Sequence, residues 1–173
     1  MLTDLEAIQT QAAARHDEFE VLRYMLEIND DISDADLDAF IDALAAPIIA
    51  AIDCRQCANC CRNLDVYLTP DDAQRLADGV DIPLSEVKTR YINQQAAQHE
   101  GEWGRFTHSP CAFLDGKLCS IYEHRPESCR AYPVFTPDFR WTLADTLQGA
   151  ALCPIIYNVL DALSRRIDDL YQS

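Results

Sequence analysis

Apolar side chains recur at helical spacing along the first 28 residues. Leu5, Ile8, Ala12, Phe19, Leu22 and Leu26 alternate with acids and glutamines, a period that predicts one amphipathic helix over 3–28. Asn29-Asp30-Asp31 breaks it. Ser33, followed three residues later by Asp36, opens a second helix with Leu37, Phe40, Ile41 and Leu44 turned inward. Pro47 should kink or restart that helix, because proline removes a backbone donor and crowds the preceding turn. The helix then runs out at Asp53. Leu64–Leu68 alternates as a short strand does. Thr69-Pro70 starts a helix that stops at Gly79, with threonine as the cap and proline in the first turn. A further helix is expected over 83–98, with Leu84, Val87 and Tyr91 on one face, and an aperiodic loop over 103–110.

Asp115-Gly116 between apolar residues signals a β-hairpin. A two-residue loop would pair Ala112 with Cys119, whereas a three-residue loop with a bulge would pair Phe113 with Cys119. The second is expected, because it makes Cys111 and Cys119 neighbours on one face. Pro126 opens a helical turn carrying Cys129 and Arg130, and a loop passes through Trp141 and Gly149. Ile156, Val159, Leu160, Leu163, Ile167 and Leu170 form the clearest helical stripe, in a closing helix over 154–171 with Pro154 at its first position. The pattern predicts a mainly α protein, a helical single domain over 1–173 with a cysteine-rich irregular centre and a small β-hairpin. Its parts are an N-terminal helix (1–30), a core (50–155) and the closing helix.

Charge narrows the partners. The chain of 173 residues carries a formal net charge of -15, which argues against nucleic acid and against an anionic membrane surface and leaves a protein partner as the expectation. The N-terminus lacks a basic start and a continuous apolar core, and the longest apolar run, Ala43–Ile52, is too short to span a bilayer. A soluble cytoplasmic protein is therefore expected, in which thiols stay reduced.

Against that background the chain holds eight cysteines: Cys54, Cys57, Cys60, Cys61, Cys111, Cys119, Cys129 and Cys153. Four of them fall within 54–61, at steps no helix or strand period produces. The first three read C-x2-C-x2-C, a reach that wraps one loop around a metal ion or an iron–sulfur cluster. Eight is two sets of four, the usual coordination number for tetrahedral zinc and for cysteine-ligated clusters. Adjacent side chains diverge, so Cys60 and Cys61 suit different sites. One partition takes Cys54, Cys57 and Cys60 with a remote cysteine and leaves Cys61 with three others from the second block. Cys153 precedes the closing helix, where the backbone dipole favours a thiolate. Structural zinc more often pairs two C-x2-C knuckles, and only the first block has that spacing. Iron–sulfur therefore leads, as a [4Fe–4S] cluster, with zinc as the alternative.

With both blocks in view, C-R-Q-C-A-N-C-C at 54–61 and C-A-F-L-D-G-K-L-C-S-I-Y-E-H-R-P-E-S-C-R-A-Y-P at 111–133, followed by Cys153, the chain resembles the CxxCxxCC (YkgJ-like) family of zinc- or iron-chelating domains. The resemblance covers about 50–155 and implies a cysteine-ligated metal centre without a general activity. Flagellin lysine N-methylases carry a similar cluster, which hints at iron–sulfur and at protein modification. The chain has only five glycines, too few for a Gly-rich nucleotide or cofactor loop. Arg125, Arg130, Tyr122 and Tyr132 surround the second block as candidate donors to a cluster's sulfurs. Arg125 and Arg130 have a rival role as surface ion pairs with Glu123 and Glu127. His108 and His124 read as outer groups or surface rather than ligands.

Three functions follow: a redox or metal-handling protein, a structural zinc module that binds a partner, and an enzyme using an incompletely ligated cluster.

Overall fold

The computed structural model describes residues 1–170, so the expected helix end at 171 lies outside the described residues. The described residues are mainly helical, with small antiparallel sheets. The contacts fall into two compact units, a helical one made of Met1–Asp53 with the segment from Pro133, and a contiguous one over Cys54–Tyr132.

The first stretch forms two helices rather than one, α1 (Leu5–Ala14) and α2 (His16–Glu27). The backbone leaves helical geometry at Arg15 (φ -107, ψ 10). The apolar stripe also lapses there, between Ala12 and Phe19, and nothing buried holds Arg15 to a continuous helix. Its guanidinium instead bonds Asp161 and Ser164. Helix α3 (Asp34–Ala51) begins at the expected cap, with the Ser33 hydroxyl accepting from the Asp36 N–H at 3.1 Å. It continues through Pro47 instead of restarting. Leu44, Ala45 and Ile48 are buried on either side of the proline, and their packing outweighs the roughly 3 kcal/mol an interior proline costs.

In the second unit a 3-10 turn at Cys54–Gln56 leads to α4 (Asn59–Asn63), β1 (Tyr67–Leu68) and α5 (Pro70–Val80). The segment expected as one helix over 83–98 is α6 (Leu84–Tyr91), β2 (Ile92–Asn93) and α7 (Gln94–His99). Residues 104–106, expected as loop, are strand β3 (Gly104–Phe106). It sits centrally in a sheet of order β1-β3-β2, pairing Leu68 with Gly104 and Ile92 with Phe106. Burial of Leu68, Ile92 and Phe106 beside Leu76, Val87, Phe113 and Ile121 accounts for both corrections. Strands this short carry no readable period, and tertiary packing decides them.

The hairpin joins β4 (Leu114–Asp115) to β5 (Leu118–Cys119), pairing Leu114 with Cys119. The loop is Gly116-Lys117, so Cys119 pairs one residue beyond the expected Phe113 and two beyond the alternative Ala112, and the expected Phe113–Cys119 pair does not form. Gly116 takes φ +60 at the first loop position, where a tight hairpin turn favours glycine. Helix α8 (Glu127–Ala131) follows Pro126 as expected.

Back in the helical unit, α9 (Phe139–Gln148) occupies the stretch expected as loop, and α10 (Pro154–Leu170) is the expected closing helix. Only Phe139, Leu143 and Thr146 mark the buried apolar side of α9. Its other anchor is polar: buried Arg140 donates to the carbonyls of Leu26, Asn29 and Ile32 and to the Asp34 carboxylate. None of the described helices is long and apolar enough to cross a membrane.

Candidate metal centre

The C-x2-C-x2-C segment is a folded loop held by its own backbone. The Cys54 carbonyl accepts the N–H groups of Cys57 and Ala58, both at 3.1 Å. Ala58 then turns into the left-handed region (φ 53) and is 4 % exposed. That reversal starts the short α4 and presents Cys60 and Cys61 there with their sulfurs 3.9 Å apart, so the two side chains converge rather than diverge as expected. Arg62 ties this loop to the hairpin tip, donating to the Cys57 carbonyl at 3.0 Å and to the Gly116 carbonyl at 2.6 Å. The Cys111 N–H donates to the Cys61 carbonyl at 2.8 Å, and β5 packs against the Cys54–Gln56 turn.

Four sulfurs sense one another's charge. Burial pushes the Cys111 and Cys119 thiols up, as does the neighbouring Cys61. Burial, with the charges of Cys111, Cys61 and Cys119, pushes Cys129 up to about 12. Cys61 moves the other way, to about 6, chiefly because the Cys60 thiol donates to it, with Arg62 and Arg125 adding positive charge against the effect of burial. One thiolate thus stands among three protonated thiols. Arg125 acts on Cys61, Cys119 and Cys129, while its Nε bonds the Tyr122 carbonyl at 2.8 Å and its guanidinium lies 3.5 Å from the Tyr122 ring centroid.

Among the described residues, no three His, Cys, Asp or Glu side chains already stand in a ligating arrangement. Thiols are the donors a soft, thiophilic metal prefers, and Arg125 supplies positive charge to Cys61, Cys119 and Cys129.

Helix α8 carries Cys129 and is fixed at its start by a carboxylate from the first turn of α5. Asp72, 1 % exposed, accepts the Glu127 N–H at 3.0 Å, the Thr69 N–H and hydroxyl at 2.9 Å each, and Arg75 Nη2 at 2.6 Å. Burial alone would raise its carboxyl. The backbone donors of Thr69 and Glu127, with Arg75 and the Thr69 hydroxyl, hold it below its ordinary value instead. Ser128 adds a second anchor, donating to the Tyr67 carbonyl at 2.8 Å. The readable signal was the capping box Thr69-x-x-Asp72, whose acid lies in the first turn of α5. The same acid also reaches α8.

A family model matches residues 53–153, from the residue before Cys54 to Cys153 itself, and so spans all eight cysteines. The chain belongs to the CxxCxxCC family. The description of that family is "Putative zinc- or iron-chelating domain", in keeping with cysteine-ligated metal binding. Neither a curated protein nor a solved structure matches the chain.

Within this CxxCxxCC domain, seven cysteines lie in the contiguous unit and Cys153 in the helical unit. Cys153 is 7 % exposed and caps α10, its carbonyl accepting the Tyr157 N–H at 3.0 Å. Cys54 is exposed and Cys57 half-buried. Of the candidate donors, Arg125 faces the sulfurs, whereas Arg130 pairs with Glu127 at 3.6 Å. Tyr122 is exposed and Tyr132 half-buried. His108 is exposed, and His124 packs its ring against Gly79.

Proposed function

We propose that the chain is a cysteine-ligated metalloprotein carrying a [4Fe–4S] cluster, with a redox or metal-handling role. What supports this reading is the backbone that brings the two cysteine blocks together: the Cys111 N–H donates to the Cys61 carbonyl at 2.8 Å, and β5, which carries Cys119, packs against the Cys54–Gln56 turn, all within the 53–153 family match. Cys60, its sulfur 3.9 Å from that of Cys61, links Cys61 to Cys54 and Cys57 of the same loop. Iron–sulfur is favoured over zinc because the first block has C-x2-C-x2-C spacing and the second lacks a paired C-x2-C knuckle. When bound, such a cluster supplies one-electron chemistry. The chain's part is to hold sulfurs as thiolates, to place the Arg125 charge beside them, and to fix α8 through Asp72.

Anaerobic purification followed by absorption spectroscopy and iron, sulfide and zinc analysis tests the reading. A broad band near roughly 400 nm with about four irons and four sulfides per chain is expected. A colourless protein holding zinc alone refutes the cluster and leaves a structural zinc module. Cys57→Ser should lose metal and thermal stability together, and full metal content in that variant would remove the 54–61 loop from the centre.

A further inference from the structure

Helix α2 has two apolar faces. Phe19, Leu22 and Leu26 are buried within the helical unit. Val21, Tyr24, Met25 and Ile28, the last of these capping the helix, stand 58, 59, 47 and 60 % exposed. Steps of three, one and three residues put these four on a single stripe about 100° wide, turned away from the buried set. A surface helix ordinarily fills that side with charge. Bulky apolar side chains aligned there mark a contact surface.

The charges around the stripe select its occupant. Asp17 lies at its N-terminal end and Asp30 and Asp31 follow its C-terminal end, forming the acidic rim, while the flanking Glu18, Glu20 and Glu27 are held in ion pairs. The nearby cations are already engaged, Arg15 with Glu18 and Asp161, and Arg23 with Glu20 and Glu27. A second copy laid along the stripe would set acids against acids in either direction, Asp17 against Asp17 in parallel and against Asp30 and Asp31 in antiparallel. An anionic bilayer meets the same repulsion. We infer that this stripe receives an amphipathic helix of a partner protein, whose apolar side chains cover Val21, Tyr24, Met25 and Ile28 and whose flanking lysines or arginines meet the acidic rim. The surface is independent of the metal centre.

The test titrates the full chain with a synthetic helical peptide of leucine and lysine, its leucines on one face, and with a scrambled peptide of identical composition. Sedimentation of the chain alone and flotation with uncharged phosphatidylcholine vesicles run beside it. The amphipathic peptide should bind at least about tenfold more tightly than its scramble. Tyr24→Ser with Met25→Ser should abolish that preference without moving Tm, because both side chains are exposed. Asp30→Lys with Asp31→Lys should weaken binding while leaving the apolar stripe intact. Equal binding of the two peptides, or undiminished preference in either double variant, overturns the inference. So does a concentration-dependent dimer, or vesicle binding, that the Tyr24 and Met25 substitutions remove, since the occupant is then a second copy or lipid.

Discussion

Replacing Asp72 by alanine removes four hydrogen bonds at once from a carboxylate that is 1 % exposed. Loss of the capping box on α5 is worth about 1 kcal/mol. The Glu127 N–H loses its carboxylate acceptor in a part-buried setting, a loss of about 1–3 kcal/mol. Arg75, whose side chain is 39 % exposed, regains water and adds at most about 1 kcal/mol. The sum is a destabilisation of roughly 2–5 kcal/mol, which at about 2 kcal/mol per molar urea moves the midpoint down by about 1–2.5 M. Urea titration followed by tryptophan fluorescence reads it directly. The acid side gives a second signature. The folded-state carboxyl lies below its ordinary value, so its stabilisation is complete above the usual carboxylate range and is lost as pH falls through the lowered folded value. In D72A that step should be missing, and the variant's deficit should shrink as the pH is lowered. With α8 released, Cys129 should also alkylate faster in the metal-free protein. A loss below about 1 kcal/mol with unchanged Cys129 labelling would show that Asp72 does not hold α8.

In the reduced, metal-free protein, the most reactive thiol between pH 5 and 8 should be Cys61, with an alkylation midpoint near 6; Cys60→Ala should move that midpoint upward, and an unchanged profile by mass spectrometry would contradict the Cys60 hydrogen bond. Gly79→Ala places a methyl carbon 2.6 Å from His124 Cγ, so the ring must shift, and calorimetry should show a loss of about 1–3 kcal/mol. Arg140→Met leaves the carbonyls of Leu26, Asn29 and Ile32 without their guanidinium. A loss of about 3–5 kcal/mol is expected, and thermal unfolding within experimental error of the parent would refute the clamp.

The long helices were legible because their signals are local and repeated. Ser33 and Thr69 announce α3 and α5 through caps that the structure contains, and the stripe from Ile156 to Leu170 is α10. What escaped depends on partners distant in sequence. Gly104–Phe106 is a strand because Leu68 and Ile92 flank it, and α9 depends on Arg140 reaching carbonyls more than a hundred residues earlier. At the candidate centre, the spacing at 54–61 singled out the thiols, but the divergence expected of adjacent Cys60 and Cys61 does not occur, their sulfurs lying 3.9 Å apart. The opposite shifts of Cys61 and Cys129 arise from burial and neighbouring charge, which no spacing encodes. The hairpin was expected with a three-residue loop pairing Phe113 with Cys119; a two-residue turn at Gly116-Lys117 pairs Leu114 with Cys119 instead, because Gly116 can open the turn as well as lie within it.

The interrupted path of the chain has a consequence for biosynthesis. The cysteine-bearing unit is one continuous stretch, whereas the helical unit needs residues on both sides of it, α3 packing with α10 across more than a hundred residues of sequence. Seven thiols are therefore synthesised before any residue of α9 or α10. At about 5–20 residues per second, the segment from Pro133 to the end of α10 takes several more seconds to appear. The cysteine-bearing unit therefore has all of its own residues before the helical unit does, and the helical unit can complete its core only after that insert has been made.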